Sequence, residues 1–231
     1  MTHIFAFGGG EIGRTKLLDD GTVRQYPIET MHIDAEIIKL SGKTNPNLLF
    51  IGTASGDAES YSTAVQNHFG GRLGCVISEL KLVDEAPKTS EIQGLVDNAD
   101  IIYVGGGDTR AMLDIWRRTG TDEILKSAWR AGKIISGTSA GAICWFEWYD
   151  NLDYIDGDMT KLDLLPGLGL LTGFAVPHWD DLNDADKGFF VDMLEKNGIS
   201  GWAIDNSAAV YAHDGVLTAM NGTNGRGARQ I

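Results

Sequence analysis

The residues best suited to carry out a reaction lie in the segment GTSAGA at 137–142, which carries the G-x-S-x-G pattern around Ser139. This pattern is typical of a sharp strand-to-helix turn that lifts a serine hydroxyl out of a sheet and points the next backbone amide at a developing oxyanion. The apolar run at 134–136 before it and the possible helix start at 142–146 after it favour this interpretation. A tight or phosphate-binding turn is the alternative.

A serine nucleophile requires a general base, and His178 is the best placed of the five histidines. It directly follows an apolar strand candidate in the sequence VPHWD at 176–180. His3 lies within the first strand candidate. The remaining histidines are interpreted as surface or strand-end residues: His32, His68 and His213.

An acidic residue must hold the imidazole of the base in place. Four carboxylates are candidates for this role: Glu147, Asp150, Asp153 and Asp205. Their order along the chain does not choose among them.

The elements that position these residues follow from the hydrophobic pattern. Short apolar runs end in glycine-rich turns and are followed by helical periodicity, which indicates parallel β-α units. Strands are predicted at 3–7, 48–51, 101–104, 133–136, 174–176 and 208–212. Helices are predicted at 110–118 and 121–130, and the glycine-rich stretch 221–227 is predicted to be a mobile loop or frayed end. We predict a single three-layer α/β domain over 1–231, with a mostly parallel sheet flanked by helices.

The acidic composition disfavours several functional classes. Thirty-two Asp and Glu against 19 Lys and Arg leave a net charge of −13, so neither nucleic acid nor a membrane surface is expected as a partner. No apolar run approaches the ~20 residues of a membrane-spanning helix, and the first residues lack the features of a signal peptide. Two cysteines are too few for a disulfide framework or a four-cysteine metal site. We expect a cytoplasmic protein without metal or organic cofactor.

Four ordered motifs give the chain a wider resemblance. They are GGGDT at 105–109, GTSAGA at 137–142, Pro177-His178, and AIDN at 203–206. With them the chain resembles the serine exopeptidases of dipeptidase E and cyanophycinase, whose fold is similar to that of the class I glutamine amidotransferases, a flavodoxin-like fold. The likeness covers most of the chain.

The resemblance implies a serine peptidase that hydrolyses small peptides through an acyl-enzyme. Ser139 is then the nucleophile, His178 the general base, and the backbone amides of Gly107 and Ala140 form the oxyanion hole. A side chain at Gly106 or Gly107 is expected to block the approach of a substrate carbonyl to these amides. The implied substrate-binding residues are Gly106, Asp108, Thr109 and Asp180. The oligomeric state stays open, a homodimer included.

The orienting acid stays open between two residues that match places in the family's pattern. Asp153 follows the nucleophile by about fifteen residues, and Asp205 belongs to the strand after the histidine. We favour Asp205, because a carboxylate at a strand end is held more rigidly than one in the loop 149–158.

Substrate preference is the point at which the sequence departs from the aspartate-specific members of the family. Residues 179–200 contain no arginine, only Lys187 and Lys196, and 147–192 contain eleven Asp or Glu against two lysines. This charge distribution predicts that peptides with a neutral or basic residue near the scissile bond are preferred over those with an N-terminal aspartate. A solvated acidic surface without a role in recognition is the alternative.

Other functional classes share some of these residues. A catalytically silent amidotransferase-like binding module would have the same fold and the same strand-to-helix turn at 137–142, called the nucleophile elbow, but its serine would not be reactive. An esterase of α/β-hydrolase type is favoured by the order Ser139, Asp153, His178, but the expected HGGG-like oxyanion loop is missing. A glutamine amidotransferase is disfavoured because its nucleophile is a cysteine at the elbow, whereas Cys144 lies further along and is predicted to be a core residue.

Overall fold

The structure is a computed structural model that describes residues 1–18, 20–84 and 87–231. Strands and helices alternate along most of the chain. The strands are β1 (His3–Phe7), β2 (Thr15–Leu17), β3 (Val23–Gln25), β4 (Asn47–Ile51), β5 (Val76–Leu80), β6 (Ile101–Val104), β7 (Ile134–Thr138), β8 (Trp148–Asp150), β9 (Leu164–Pro166), β10 (Phe174–Val176), β11 (Gly201–Ile204), β12 (Ala209–His213), β13 (Val216–Met220) and β14 (Ala228–Gln230). The helices are α1 (Met31–Leu40), α2 (Glu59–Val65), α3 (Thr89–Asn98), α4 (Thr109–Thr119), α5 (Thr121–Arg130), α6 (Ala140–Ile143) and α7 (Asp184–Asn197).

The central sheet joins seven of these strands in the order β13, β12, β1, β7, β6, β4, β5. The strands β1, β7, β6, β4 and β5 run parallel to one another, whereas β12 pairs antiparallel with β1 and with β13. Because the parallel strands all end at one edge, the turns after β1, β6 and β7 meet there.

Alternate residues of β1 face two hydrophobic cores on opposite sides of the sheet. Ile4 and Ala6 pack in the core that contains residues of α3, α4 and α5, while Phe5 and Phe7 pack in the core that contains residues of α1 and α2. A strand buried on both faces shows this alternation. The predicted α/β architecture, a mostly parallel sheet flanked by helices, is confirmed.

The predicted elements agree with the observed ones to within two residues. β1, β6, β10 and α5 have the predicted bounds, and the others differ by one or two residues at an end. The bounds of α4 have a local cause. The Asp108 carboxylate caps its first turn by accepting from the Ala111 amide at 2.9 Å, and Gly120 ends it with a φ of +73°.

A separate three-stranded sheet carries part of the cleft. β10 pairs parallel with β11, which pairs antiparallel with β14. The stretch 221–227 is a loop, as predicted, but it is not a frayed end. The Gly227 amide donates to the Asp205 carboxylate at 3.0 Å, its carbonyl accepts from the Asp205 amide at 3.0 Å, and the chain continues into β14.

Across the described residues, the helices are all too short or too polar to span a lipid bilayer.

Candidate active site

Ser139 lies in the turn between β7 and α6, with φ +53° and ψ −116°. Positive φ is uncommon for a residue with a side chain and must be imposed by its surroundings. The Ser139 amide donates to the Phe7 carbonyl at 3.1 Å. A Cβ at Gly137 would lie 2.1 Å from the Gly141 carbonyl oxygen, and a Cβ at Gly141 would lie 2.3 Å from that of Val104. Close backbone packing therefore requires both glycines of the sequence pattern.

His178 contacts Ser139 directly. Its Nε2 atom lies 3.0 Å from the serine Oγ. His178 follows β10 in a left-handed conformation, and its amide donates to the Gly8 carbonyl at 2.8 Å. Both Ser139 and His178 are thus hydrogen-bonded to the backbone at the end of β1, Ser139 to Phe7 and His178 to Gly8.

The second imidazole nitrogen of His178 contacts an amide, not one of the predicted carboxylates. Nδ1 lies 2.8 Å from Oδ1 of Asn206. The Asp205 carboxylate instead accepts from the Gly227 amide and lies 3.5 Å from the Arg229 guanidinium. Asn206 begins the turn that follows β11, and in this turn Asn206 rather than its neighbour Asp205 faces the histidine.

The other predicted acids also lie away from Nδ1. Asp153 is an exposed residue of the short 3-10 turn Leu152–Tyr154, and the pKa of its carboxyl is raised, first by partial burial and then by the charge of Asp108. Asp150 accepts from the Leu152 amide at 3.0 Å, and Glu147 accepts from the Gly173 amide at 2.7 Å.

Sequence reasoning missed Gly9, which packs against the hydrogen bond between His178 and Asn206. A Cβ there would lie 2.2 Å from Asn206 Oδ1 and 2.5 Å from His178 Nδ1, and its φ of +145° also favours glycine. The glycine triplet at 8–10 after the first strand was the available signal. For Asn206 the signal was the AIDN motif, which already contained it.

The predicted oxyanion-hole amides belong to Gly107, which lines both cavities with Ser139, and to Ala140, which directly follows Ser139 in the chain. Within 1–18, 20–84 and 87–231, neither amide donates a hydrogen bond to a protein acceptor. The structure adds another reason for the glycines. A Cβ at Gly107 would lie 2.1 Å from the Ala54 carbonyl oxygen, and a Cβ at Gly106 would lie 3.1 Å from the Ser139 Cβ.

The four residues assigned to substrate binding divide into two pairs. Gly106 and Thr109 line the cavities beside Ser139. The carboxylate of Asp108 caps α4 and accepts from the Tyr154 hydroxyl at 2.7 Å, which raises the pKa of Tyr154 to about 12. The Asp180 carboxylate accepts from the Asn206 amide and lies 2.8 Å from the Arg226 guanidinium. Both carboxylates therefore already have protein partners.

Two cavities meet at Ser139 and His178, and both are also lined by Gly107. The larger has a volume of about 710 Å³, and its charged lining residues are Glu11, Arg14, Lys16, Glu29, Asp181 and Arg226. The smaller has a volume of about 180 Å³, and its lining is mainly apolar, with the charged residues Arg110, Asp150 and Asp153. Residues 179–200 contain no arginine, and the basic residues that line the two cavities come from other parts of the chain: Arg14, Lys16, Arg110 and Arg226.

Two further predictions concern residues outside the cleft. Cys144 is completely buried, as predicted for a core residue, and burial raises the pKa of its thiol well above the usual value. The prediction that His68 is a surface or strand-end residue is wrong. Its side chain is 0% exposed, and its Nε2 lies 2.8 Å from Oδ2 of Asp34.

Comparison with known proteins gives matches over most or all of the chain. The sequence model described as peptidase family S51 matches residues 18–220. The protein named "Uncharacterized peptidase YgaJ" of Bacillus subtilis is 32% identical over 232 residues, covering 100% of this chain and 92% of that protein. "Uncharacterized peptidase PM1590" of Pasteurella multocida is 32% identical over 178 residues, covering 74% of this chain and 83% of that protein.

Solved structures show the same fold at lower sequence identity. A peptidase from an acI-B1 Actinobacterium superposes with a TM-score of 0.72 at 19% identity, covering 100% of this chain and 94% of that one. A putative peptidase E protein from Listeria monocytogenes superposes with a TM-score of 0.65 at 18% identity, covering 100% and 99%.

Proposed function

Because the chain belongs to peptidase family S51, the dipeptidase E family, and is a hydrolase of that family, we propose that it is a serine-type peptidase that hydrolyses small peptides through an acyl-enzyme on Ser139. The observation that carries the proposal is the 3.0 Å contact between Ser139 Oγ and His178 Nε2, made at a strained turn that opens into a cleft.

In the first step, His178 acts as general base. With the Nδ1 proton donated to Asn206, Nε2 has a free lone pair that accepts the Ser139 hydroxyl proton as Oγ attacks the peptide carbonyl. The imidazolium then gives this proton to the leaving amine, and the carbonyl carbon stays bonded to Oγ. In the second step, His178 takes a proton from water as the water oxygen attacks the ester carbonyl. The imidazolium then returns this proton to Oγ as the carbon–Oγ bond breaks and the carboxylic acid product leaves.

The oxyanion formed in each step requires hydrogen-bond donors. The amides of Gly107 and Ala140 are free to fill this role, because no described protein group accepts from them. Loss of one such donor typically costs about 3 kcal/mol in the transition state. Ala140 supplies its amide as the residue directly after the nucleophile, as in other elbows.

The shape of the cleft supports short substrates. The smaller cavity, about 180 Å³, lies below the ~300–1,000 Å³ typical of sites for larger ligands, so it holds only a short end of a peptide. In the larger cavity, Arg14 is paired with Glu11, and Arg226 is paired with Glu29 and Asp180. Lys16 and Arg110 also line the cavities, so the cleft holds cations as well as carboxylates. Preference for neutral or basic residues over an N-terminal aspartate stays our prediction, and it rests on the acidic residues at 147–192.

A dipeptide panel tests the proposal. Acidic, basic and neutral N-terminal residues are offered to the wild type, to Ser139→Ala and to Ser127→Ala, a matched change at an exposed serine on α5. We expect Ser139→Ala to lose several orders of magnitude in kcat/KM and Ser127→Ala to match the wild type. Activity of Ser139→Ala within tenfold of the wild type would contradict the serine mechanism, and no hydrolysis by any variant would favour the silent binding module.

A further inference from the structure

Two carboxylates lie behind the hydrogen bond between His178 and Asn206. Nδ2 of Asn206 donates to Asp180 Oδ1 at 3.0 Å and to Asp181 Oδ2 at 2.8 Å. The Asn206 backbone amide also donates to Asp180 Oδ1, at 2.7 Å. Anions therefore accept both N–H bonds of the side-chain amide.

This arrangement allows only one orientation of the Asn206 amide. If the amide were flipped, its oxygen would face two carboxylates that can only accept, and acceptor would meet acceptor. In the observed orientation the NH₂ group makes two charge-assisted hydrogen bonds, which are stronger than neutral ones. Oδ1 must then face His178, and Nδ1 must carry the proton because Oδ1 can only accept.

The two carboxylates are themselves held differently. Asp180 Oδ2 lies 2.8 Å from Arg226 Nε, and Arg226 is also paired with Glu29 at 2.9 Å. Asp181 lines the larger cavity, and in the described part of the chain its carboxylate bonds to Asn206 only. A change at Asp181 thus reaches Asn206 without disturbing the Arg226 pair.

We propose that Asp180 and Asp181 are positioning residues that lock the Asn206 amide and, through it, the reactive tautomer of His178. The inference rests on the proposed function, because His178 is the base of that reaction. An amide alone is a poor partner in a serine triad, since it can present its NH₂ group and select the wrong tautomer at a cost of ~10⁴-fold in kcat. Two carboxylates that accept from the NH₂ group of Asn206 prevent this group from facing His178, and they add negative charge near the imidazolium.

A spectroscopic test does not depend on activity. ¹⁵N NMR of the His178 ring is recorded in Ser139→Ala, with and without the additional changes Asp180→Ala and Asp181→Ala. We expect the proton on Nδ1 in Ser139→Ala and a mixture of tautomers once both carboxylates are removed. An unchanged single tautomer would overturn the inference, whether or not Ser139 is the nucleophile.

A kinetic test uses Asp181→Ala beside Asp192→Ala, a matched change at an exposed residue of α7. We expect Asp181→Ala to lower kcat about tenfold or more with KM within about twofold, because the base is misplaced while the cleft is kept. Asp192→Ala should equal the wild type. Equal kcat values for Asp181→Ala and the wild type would contradict the proposal.

A charge exchange sharpens the test. If Asn206 were an ordinary triad position, Asn206→Asp should be as active as the wild type or more active. We expect a loss of about tenfold or more, because three carboxylates would meet at one point. Adding Asp181→Asn should restore activity to within a few-fold, since the new amide can donate to the new carboxylate. Full activity of Asn206→Asp, or no rescue, would overturn the inference. Hydrolysis that survives in Ser139→Ala would instead overturn the proposed function.

Discussion

His178 and His68 each lie 2.8 Å from a side-chain oxygen, but in opposite surroundings. His178 bonds to Asn206 in a half-buried position where two cavities meet. His68 bonds to Asp34 in the core, where the two side chains are 0% and 1% exposed. The same kind of contact therefore occurs both at an open cleft and in the buried core.

The buried pair connects two elements under the central sheet. His68 belongs to the π-helical segment Gln66–Arg72, Asp34 belongs to α1, and the Thr30 hydroxyl donates to the same Asp34 oxygen at 2.6 Å. Asp34 Oδ1 and His68 Nδ1 have no hydrogen-bond partner among the described residues. No substrate can reach this pair without unfolding.

The comparison shows that an imidazole held by an oxygen is not in itself a reaction centre. In the proposed mechanism, His178 acts as one because its other nitrogen contacts a serine held in a strained turn. His68 contacts a carboxylate with one ring nitrogen, but its other ring nitrogen has no hydrogen-bond partner among the described residues. We therefore expect His68 to contribute to stability alone.

The largest expected difference is between alanine substitutions at the two histidines. His178→Ala should lower kcat/KM by several orders of magnitude and leave the melting temperature nearly unchanged, because nucleophile and base act as a unit. His68→Ala should lower the free energy of unfolding by about 3 kcal/mol or more while kcat per folded molecule stays within a few-fold. Measurements of peptide hydrolysis and of thermal unfolding for both variants test this difference between activity and stability. A loss of catalysis in folded His68→Ala would break the distinction.

Gly9→Ala should have the next largest effect on activity. Its Cβ would push directly against Asn206 Oδ1 and His178 Nδ1, so we expect a loss of about 10²-fold in kcat. Gly42→Ala is the control, because Gly42 also has a positive φ, +67°, but open space around its Cβ. It should cost about 1 kcal/mol in stability and nothing in activity. Similar kinetics for both variants would show that the contact at Gly9 has no role.

A double-mutant cycle on the buried pair measures its contribution to stability. Asp34→Asn and His68→Ala should each destabilise the fold, and their combination should be less harmful than the sum, with a coupling of about 1–3 kcal/mol. Chemical denaturation of the four proteins gives this value. Additive effects would mean that the 2.8 Å contact is energetically unimportant.

The smallest effects are expected at the two acids that the sequence favoured. Asp205→Asn keeps an acceptor for the Gly227 amide and loses only a partly exposed pairing with Arg229, so both activity and stability should change little. A loss of orders of magnitude would return the orienting role to Asp205.

Asp153→Asn gives a pH signature. Because the folded-state pKa of Asp153 is raised, its ionised form is disfavoured by folding, and this penalty is present above the folded pKa and disappears at lower pH. The variant should therefore be slightly more stable than the wild type at pH 8 and equal to it at pH 3. Melting temperatures at both pH values test the sign, and reduced stability of the variant at pH 8 would contradict it.

What the sequence could predict depends on how local the determinant is. The turn around Ser139 was predictable because its residues are contiguous and both glycines of its pattern are required by close backbone packing. His178 was predictable because a strand end precedes it. Asn206 was not, because the choice between it and Asp205 depends on the conformation of the turn that follows β11. Gly9 and the Asp34–His68 pair were not predictable either, since both depend on contacts between distant elements.

The most direct test of the central claim is labelling with a fluorophosphonate, followed by mass spectrometry of the intact protein and its peptides. The account predicts one adduct, located on Ser139, which is absent in Ser139→Ala, strongly slowed in His178→Ala and formed normally in folded His68→Ala. No adduct on the wild type, or an adduct on another residue, would contradict it.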